Sequence, residues 1–517
     1  MRSPRQWSAF LAGQDLVWRR LPTRWYEGPF LGNGRLGAMV YHELGSNAVR
    51  VDVQHGEVQD HRPEYQSLFG LARLPVGHLT LEPVGRITGV EWRLELWNAE
   101  LRGTITTDRG TLRLRAVVHN DRSVLLAEVT PSRGERGFRW RFHPGTAISP
   151  RMEFRPFAAP PGYTGNPPPE PSRVEGVDLV VQPLLAGGQT ATAYRETPGA
   201  GAARVLLLHV AHSFPDQSAG ERAVAAVRDA GRHPVADLLR AHRRWWHAFY
   251  PKSFLSVPDE TLQSFYWIQL YKIASGTRAD APVMATCGPW LQPTPWPAIW
   301  WNLNVQLEYW LIHGSNHLEL DAITRTLDAN RANLIDAVAE PYRADSAAVP
   351  RTTDRFTEGG LAGVPGVASP TPEVGNLTWT LHNVWLSYRH TMDQQLLRGV
   401  IFPLLRRAVN YYLHFLFEGP VGHAGLRRRD DGRLHLPLTH SPEYGNAPDC
   451  NYDLALIRWG CQTLLDASAR LGIDDSLAPR WRDVLARLVD YPVDANGYMI
   501  GAGVPFAQSH RHYSHLL

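Results

Sequence analysis

The chain has 517 residues, too many for one ordinary hydrophobic core, so two or more domains are expected. A formal net charge of +3 over that length, with no long basic run, argues against a nucleic-acid surface or an electrostatic membrane anchor. Three cysteines, Cys287, Cys450 and Cys461, cannot make a disulfide framework and read as ordinary thiols, and no apolar run reaches the ~20 residues of a membrane span.

The first twenty residues, MRSPRQWSAFLAGQDLVWRR, carry basic side chains but no continuous apolar stretch before Gln14 and Asp15, so they do not read as a signal peptide. As written, the chain is expected in the cytoplasm; a true start further upstream makes it secreted or periplasmic. From about residue 20 to 230 short alternating runs recur: AVRVDVQ, HLTLEPV, WRLELW, RGTITTDRGTLRLRAVVH, SVLLAEVTP, DLVVQPLL and ARVLLLHVAH. Strands this short, parted by turn residues such as Asp108 to Gly110, predict an antiparallel β-sandwich over residues 1–232. The Pro- and Gly-rich stretch from Pro156 to Gly176 is expected to be a long loop within it.

Near residue 233 the apolar period changes from two to the helical spacing. PVADLLRAHRRWWHAFY predicts a helical linker over 233–258. Helices are then expected in DETLQSFYWIQLYKIASG, from Asn304 to Ile312, in HLELDAITRTLDANRANLIDAVAEPY and in LTWTLHNVWLSYRHT. Three more follow, in DQQLLRGVIFPLLRRAVNYYLHFLF, YDLALIRWGCQTLLDASARLG and LAPRWRDVLARLVD. No fixed-period repeat is visible, so paired helices joined by long loops suit a toroid of helical hairpins over 259–517 better than a solenoid. The apolar ending SHRHYSHLL and the modest helical length lead us to expect that the toroid continues past Leu517.

The stretch IWWNLNVQLEYW, from Ile299 to Trp310, sets Asn302 and Asn304 two residues apart among tryptophans. On a helix such positions diverge; on extended backbone they share a face, so the pair is expected on an extended segment entering a helix, with Asn304 as its N-cap. One capping asparagine plus one satisfied loop amide is the plainer alternative. The chain holds 18 tryptophans, and flat aromatic faces stack on the apolar faces of sugar rings, so a glycan partner gains weight. His510, His512 and His515 invite a metal reading, but their spacings fit no strong ligand pattern, and no metal or cofactor is expected. By itself Glu443, in SPEYGN, reads as a loop glutamate, and Asp449 and Asp453 read as caps of the helix that starts near Asn451.

Four stretches together carry a family resemblance: FLGNGRLGAMVY (Phe30 to Tyr41), PWPAIWWNLNVQLEYW, HSPEYGN (His440 to Asn446) and HRHYSHLL (His510 to Leu517). In this order they resemble glycoside hydrolase family 95, the inverting α-L-fucosidases and related α-L-galactosidases. The resemblance implies an N-terminal β-sandwich, a helical linker and an (α/α)6 barrel, incomplete at Leu517, with the family's further C-terminal β domain missing. It implies Glu443 as general acid, with Asn302 and Asn304 positioning the attacking water. Trp300, Trp301, His440, Tyr444, His510 and His512 are then the expected walls of the sugar pocket. An acid of this kind needs its neutral form favoured, and the paired amides need a carboxylate to supply basicity. In the family that carboxylate is an aspartate beyond the histidine motif, past Leu517. Trp300 stands where the family's fucosidases tend to have a histidine, which reshapes the pocket around the sugar's C5 substituent. The segment VDVQHGEVQDHRPE also departs from the family pattern, and Asp52 and His55 are weak candidates there. Two other readings remain: an (α/α)6 glycosidase of different sugar specificity, and a carbohydrate-binding protein without catalysis.

Overall fold

The computed structural model describes residues 2–291, 294–365, 372–422 and 431–507. The chain forms two compact units. The first holds Met1–Pro297 with Gly314–Ala322, and the second Ala298–His313 with Ile323–Leu517.

The first unit is a large antiparallel β domain. Its strands are β1 (Leu16–Trp18), β2 (Phe30–Gly32), β3 (Leu36–His42), β4 (Val49–His55), β5 (Gly77–Glu82), β6 (Ile87–Glu95) and β7 (Glu100–Thr107), then β8 (Gly110–Val118), β9 (Val124–Pro131), β10 (Arg139–Pro144), β11 (Glu170–Val174), β12 (Val177–Pro183), β13 (Gln189–Pro198) and β14 (Arg204–Ser213). One sheet runs in the order β1-β6-β7-β8-β9-β14-β13-β12-β11, and a second in the order β10-β5-β4-β3-β2. The alternation seen in the sequence sets the register. Leu112, Leu114 and Ala116 of β8 are buried, whereas Arg113 between them is exposed. The predicted turn after Thr107 is a two-residue connection, Asp108 and Arg109, closed by the pairing of Thr107 with Gly110.

Helix α1 (Pro4–Ala12) precedes the strands, and α2 (Ala219–Ala230), α3 (Val235–Phe249) and α4 (Glu260–Gly276) follow them. The expectation of β structure up to residue 230 fails at α2. Its apolar residues Ala219, Ala223, Val224, Val227 and Ala230 have helical spacing and pack on Leu179, Ala191, Ala193, Val205 and Leu207 of the larger sheet. Small side chains let this helix lie close on the sheet, and such side chains carry a weak periodic signal. Asp259 caps α4, its carboxylate accepting from the amides of Thr261 at 2.8 Å and Leu262 at 3.0 Å.

The helical region continues through α5 (Asn304–Glu308), α6 (Trp310–Gly314), α7 (Ala322–Ala329), α8 (Arg331–Asp336), α9 (Asn376–Thr391), α10 (Gln394–Leu396), α11 (Phe402–Phe417), α12 (Asn451–Leu471) and α13 (Ala478–Arg487). Two short ladders interrupt it: β15 (Ile299–Trp300) with β16 (Thr352–Thr353), and β17 (Thr439–Ser441) with β18 (Gly445–Ala447). Helix α9 is buried on nearly every side and packs against α5, α11 and α12. Its polar positions are used: Thr380 Oγ1 accepts from Gln306 Nε2 at 3.0 Å, and Asn383 Nδ2 donates to the Gln306 carbonyl at 2.9 Å. The single helix expected from Asn304 to Ile312 is two, broken at Tyr309.

Candidate active site

The site is built where β15 ends. The extended segment lasts only from Ile299 to Trp300, pairing with Thr353 and Thr352. Gln306 Nε2 then donates back to the Trp301 carbonyl at 2.5 Å, which turns the chain into α5. Asn302 therefore lies in the turn and Asn304 is the first helical residue, with Leu303 in the N-cap position. This corrects the expectation of a shared strand face and an Asn304 cap: the strand is too short to hold both amides. Trp300 is buried on β15. Trp301 is fully buried, its indole N–H given to Thr353 Oγ1 at 2.7 Å.

Asn302 is wholly buried. Its Nδ2 donates to Glu373 Oε1 at 3.1 Å, while its Oδ1 has no hydrogen-bond partner among the described residues. Glu373 is a hub that sequence reasoning missed. Oε1 also accepts from Arg351 Nε at 3.0 Å and Nη2 at 2.6 Å, and Oε2 accepts from Asn376 Nδ2 at 3.1 Å. Its signal in the sequence was slight: a carboxylate between Pro372 and Gly375, just ahead of the apolar helix α9, where negative charge suits a helix N-terminus.

His440 reaches the same carboxylate from the other short ladder. Its Nε2 lies 3.9 Å from Glu373 Oε1, and its Nδ1 donates to Asn446 Oδ1, its cross-strand partner, at 2.6 Å. Burial holds His440 below the usual imidazole range and Arg351 adds to this; the Asn446 bond and the charges of Glu373 and Glu443 pull the other way.

Glu443 sits at the tip of that hairpin. The Tyr444 amide donates to the Ser441 carbonyl at 3.0 Å, with Pro442 second and Glu443 third in the turn. Glu443 has φ of +55°, the left-handed region that this turn position normally reserves for glycine. A glutamate kept there bears a backbone cost that glycine would not. Tyr444 Oη accepts from the Ala507 amide at 3.0 Å and its ring meets Phe506 at 5.5 Å between centroids. Ala507 is three residues before His510; His510 and His512 lie outside the described residues.

The hairpin is anchored from below. Asp453 Oδ2 accepts from Thr439 Oγ1 and Oδ1 from Tyr412 Oη, both at 2.6 Å. Burial pushes Asp453 up to about 7; the two hydroxyl bonds oppose this, and the charge of Glu373 adds to it. Asp449 accepts from His435 Nδ1 at 2.7 Å and from the Leu436 amide at 2.7 Å. Neither aspartate caps α12, contrary to expectation: the N-cap position belongs to Cys450, and both carboxylates are committed to tertiary bonds.

One further carboxyl shares a helix face with Asn304. Glu308 lies four residues on in α5, its Oε2 buried and without a hydrogen-bond partner among the described residues, and burial pushes it up to about 8. Asp52 and His55 are placed within the β domain. Asp52 is held by Tyr41 Oη and Arg50 Nε, each at 2.7 Å, and buried His55 is pushed down to about 4. No group of three or more His, Cys, Asp or Glu side chains is arranged to hold a metal among the described residues.

Residues 256–517 match the family described as the glycosyl hydrolase family 95 catalytic domain. The chain belongs to glycosyl hydrolase family 95. Over 294 residues this family 95 chain is 25% identical to Alpha-L-fucosidase 2 of Arabidopsis thaliana, a match that covers 51% of the chain and 32% of that protein. The chain thus matches about a third of the length of that relative. Among solved structures, a putative kojibiose phosphorylase from the human microbiome superposes with a TM-score of 0.63 at 12% identity, covering 97% of this chain and 69% of that one. At that identity the likeness is one of fold.

Proposed function

We propose that this family 95 chain carries the site of an inverting glycoside hydrolase acting on a terminal α-L-fucosyl or related α-L-galactosyl residue of a glycan. In this reading residues 1–232 are a β-sandwich, 233–258 a helical linker and 259–517 part of an (α/α)6 barrel that holds the site. Glu443 protonates the leaving glycosidic oxygen. A water held by Asn302 and Asn304 attacks C1 from the opposite face, the C1–O bond to the aglycone breaks, and the water passes one proton to a carboxylate base, as inverting hydrolysis requires, while the inverted sugar forms. Trp300, Trp301, His440, Tyr444, His510 and His512 complete the pocket.

The observation that carries this reading is the state of Asn302. Its NH2 is committed to Glu373, and its buried oxygen is left with an unfilled acceptor position. A buried amide oxygen without a donor costs about 1–3 kcal/mol, a cost that a bound water or sugar hydroxyl removes. The left-handed Glu443, on the hairpin that brings His440 to the same carboxylate, supports the acid role. Release of L-fucose and L-galactose from α-linked oligosaccharides, with the product anomer followed by NMR, tests the proposal. Glu443→Gln should cut kcat by roughly a hundredfold or more. Binding of the oligosaccharide without turnover, unchanged by that substitution, would sink the catalytic reading in favour of a carbohydrate-binding protein.

A further inference from the structure

We infer that Glu373 is the positioning residue for Asn302, fixing which end of the amide meets the water; this rests on the hydrolase reading above. An asparagine side chain has two orientations that exchange oxygen and nitrogen, and only one offers an acceptor to the pocket. A carboxylate accepts and cannot donate, so Glu373 selects the orientation with Nδ2 toward itself at 3.1 Å and Oδ1 away. The opposite orientation would set two oxygens against each other in a buried place.

Glu373 is itself immobilised. Arg351 gives two N–H bonds to Oε1 and Asn376 one to Oε2, and the side chain is 3% exposed. With the Asn302 bond, Oε1 already accepts three N–H groups, so the oxygen that faces Asn302 is fully engaged in holding the amide and the guanidinium. Its part is therefore orientation and polarisation: a negative charge at the NH2 end of the amide draws electron density toward Oδ1 and makes it a stronger acceptor. The residue that serves Asn302 lies 71 positions downstream, within the described chain.

A double-mutant cycle tests this. Glu373→Gln should lower kcat about tenfold with KM changed less than about threefold, because the amide loses its fixed orientation while the pocket keeps its shape. Asn302→Asp should lower kcat about a hundredfold, since it sets carboxylate against carboxylate. The double variant Asn302→Asp/Glu373→Gln removes the repulsion between two carboxylates, and should regain at least about tenfold over Asn302→Asp alone. On an Asn302→Ala background, Glu373→Gln should have no further effect on kcat; that arm holds if the aspartate variant fails to fold. Additive effects, or a Glu373→Gln enzyme with unchanged kcat and pH profile, overturn the inference. Loss confined to thermal stability also overturns it.

Glu443→Gln, run beside the cycle, separates the two claims. If it abolishes turnover while the cycle is additive, the hydrolase reading stands and this inference falls. If the parent protein shows no turnover, the same cycle is read in the dissociation constant for L-fucose by calorimetry. The same coupling supports the inference, and additivity or absence of binding overturns it.

Discussion

Tyr412 donates its hydroxyl to Asp453 Oδ1 at 2.6 Å deep in the helical unit, while Thr439 occupies the other oxygen and no cation joins them among the described residues. Asp453 therefore keeps its proton in the folded chain up to about pH 7, whereas in the unfolded chain it releases it near the ordinary carboxyl value. The folded state binds more protons between about pH 4 and pH 7, so this residue's contribution to stability falls as pH rises through that window. Asp453→Asn removes the dependence. Thermal melts from pH 4 to 9 should show the variant gaining on the parent by roughly 1–3 kcal/mol across the window; a constant gap would refute this account of the burial.

Glu308 predicts a second, separable window. Burial alone pushes its carboxyl up to about 8, so the folded chain retains that proton from about pH 4.5 to pH 8 and loses relative stability as the pH climbs. Glu308→Gln keeps the size and removes the titration. Chemical denaturation should find the two proteins alike near pH 4.5 and the variant more stable by roughly 2 kcal/mol at pH 8.5. Equal stability at both pH values contradicts the buried state of this side chain.

Glu443 makes the opposite kind of prediction, in which stability and activity part. Glycine occupies φ near +55° without the steric cost a glutamate bears. Glu443→Gly should raise stability by about 0.5–1 kcal/mol, measured by urea unfolding, while turnover is lost. A variant that is both less stable and still active would remove the argument from backbone strain.

The proposed sugar pocket counts Trp301 among its walls, yet this side chain is fully buried and its indole N–H belongs to Thr353. Trp301→Phe should cost roughly 1–3 kcal/mol of stability, and Thr353→Val should cost less on that background than alone, where it loses the shared bond as well as the one Oγ1 gives to the Asp354 carbonyl. Unfolding of the two single variants and the double variant measures that coupling. Full additivity would mean the bond contributes nothing.

Much of the architecture follows from periodicity. The alternation in RGTITTDRGTLRLRAVVH gives β7 and β8 with their turn, and the helical spacing of LTWTLHNVWLSYRHT gives α9. Helix α2 escaped because alanine and glycine mark a helix face faintly. The asparagine pair stands out by its odd spacing among tryptophans, but its local backbone is not legible from spacing, because a side chain four residues beyond Asn302 bends the chain there. Glu373 was illegible for a different reason. Its importance comes from contacts with Arg351, Asn302 and His440, which are scattered through the sequence, and only folding assembles them.

Arg351 holds Asn302 by two routes. Its carbonyl oxygen takes the Trp301 amide at 2.8 Å, which sets the backbone just ahead of the asparagine, and its guanidinium fixes Glu373, which sets the side chain. A two-residue ladder has no spare pairs to absorb an error, and a slip of one position turns every side chain to the other face. The segment from Arg351 to Thr353 thus serves as a gauge of length: a one-residue insertion or deletion beside it would unseat backbone and amide together. Point changes nearby touch only one of the two. Loop grafts into this region should therefore conserve residue count before they conserve residue type.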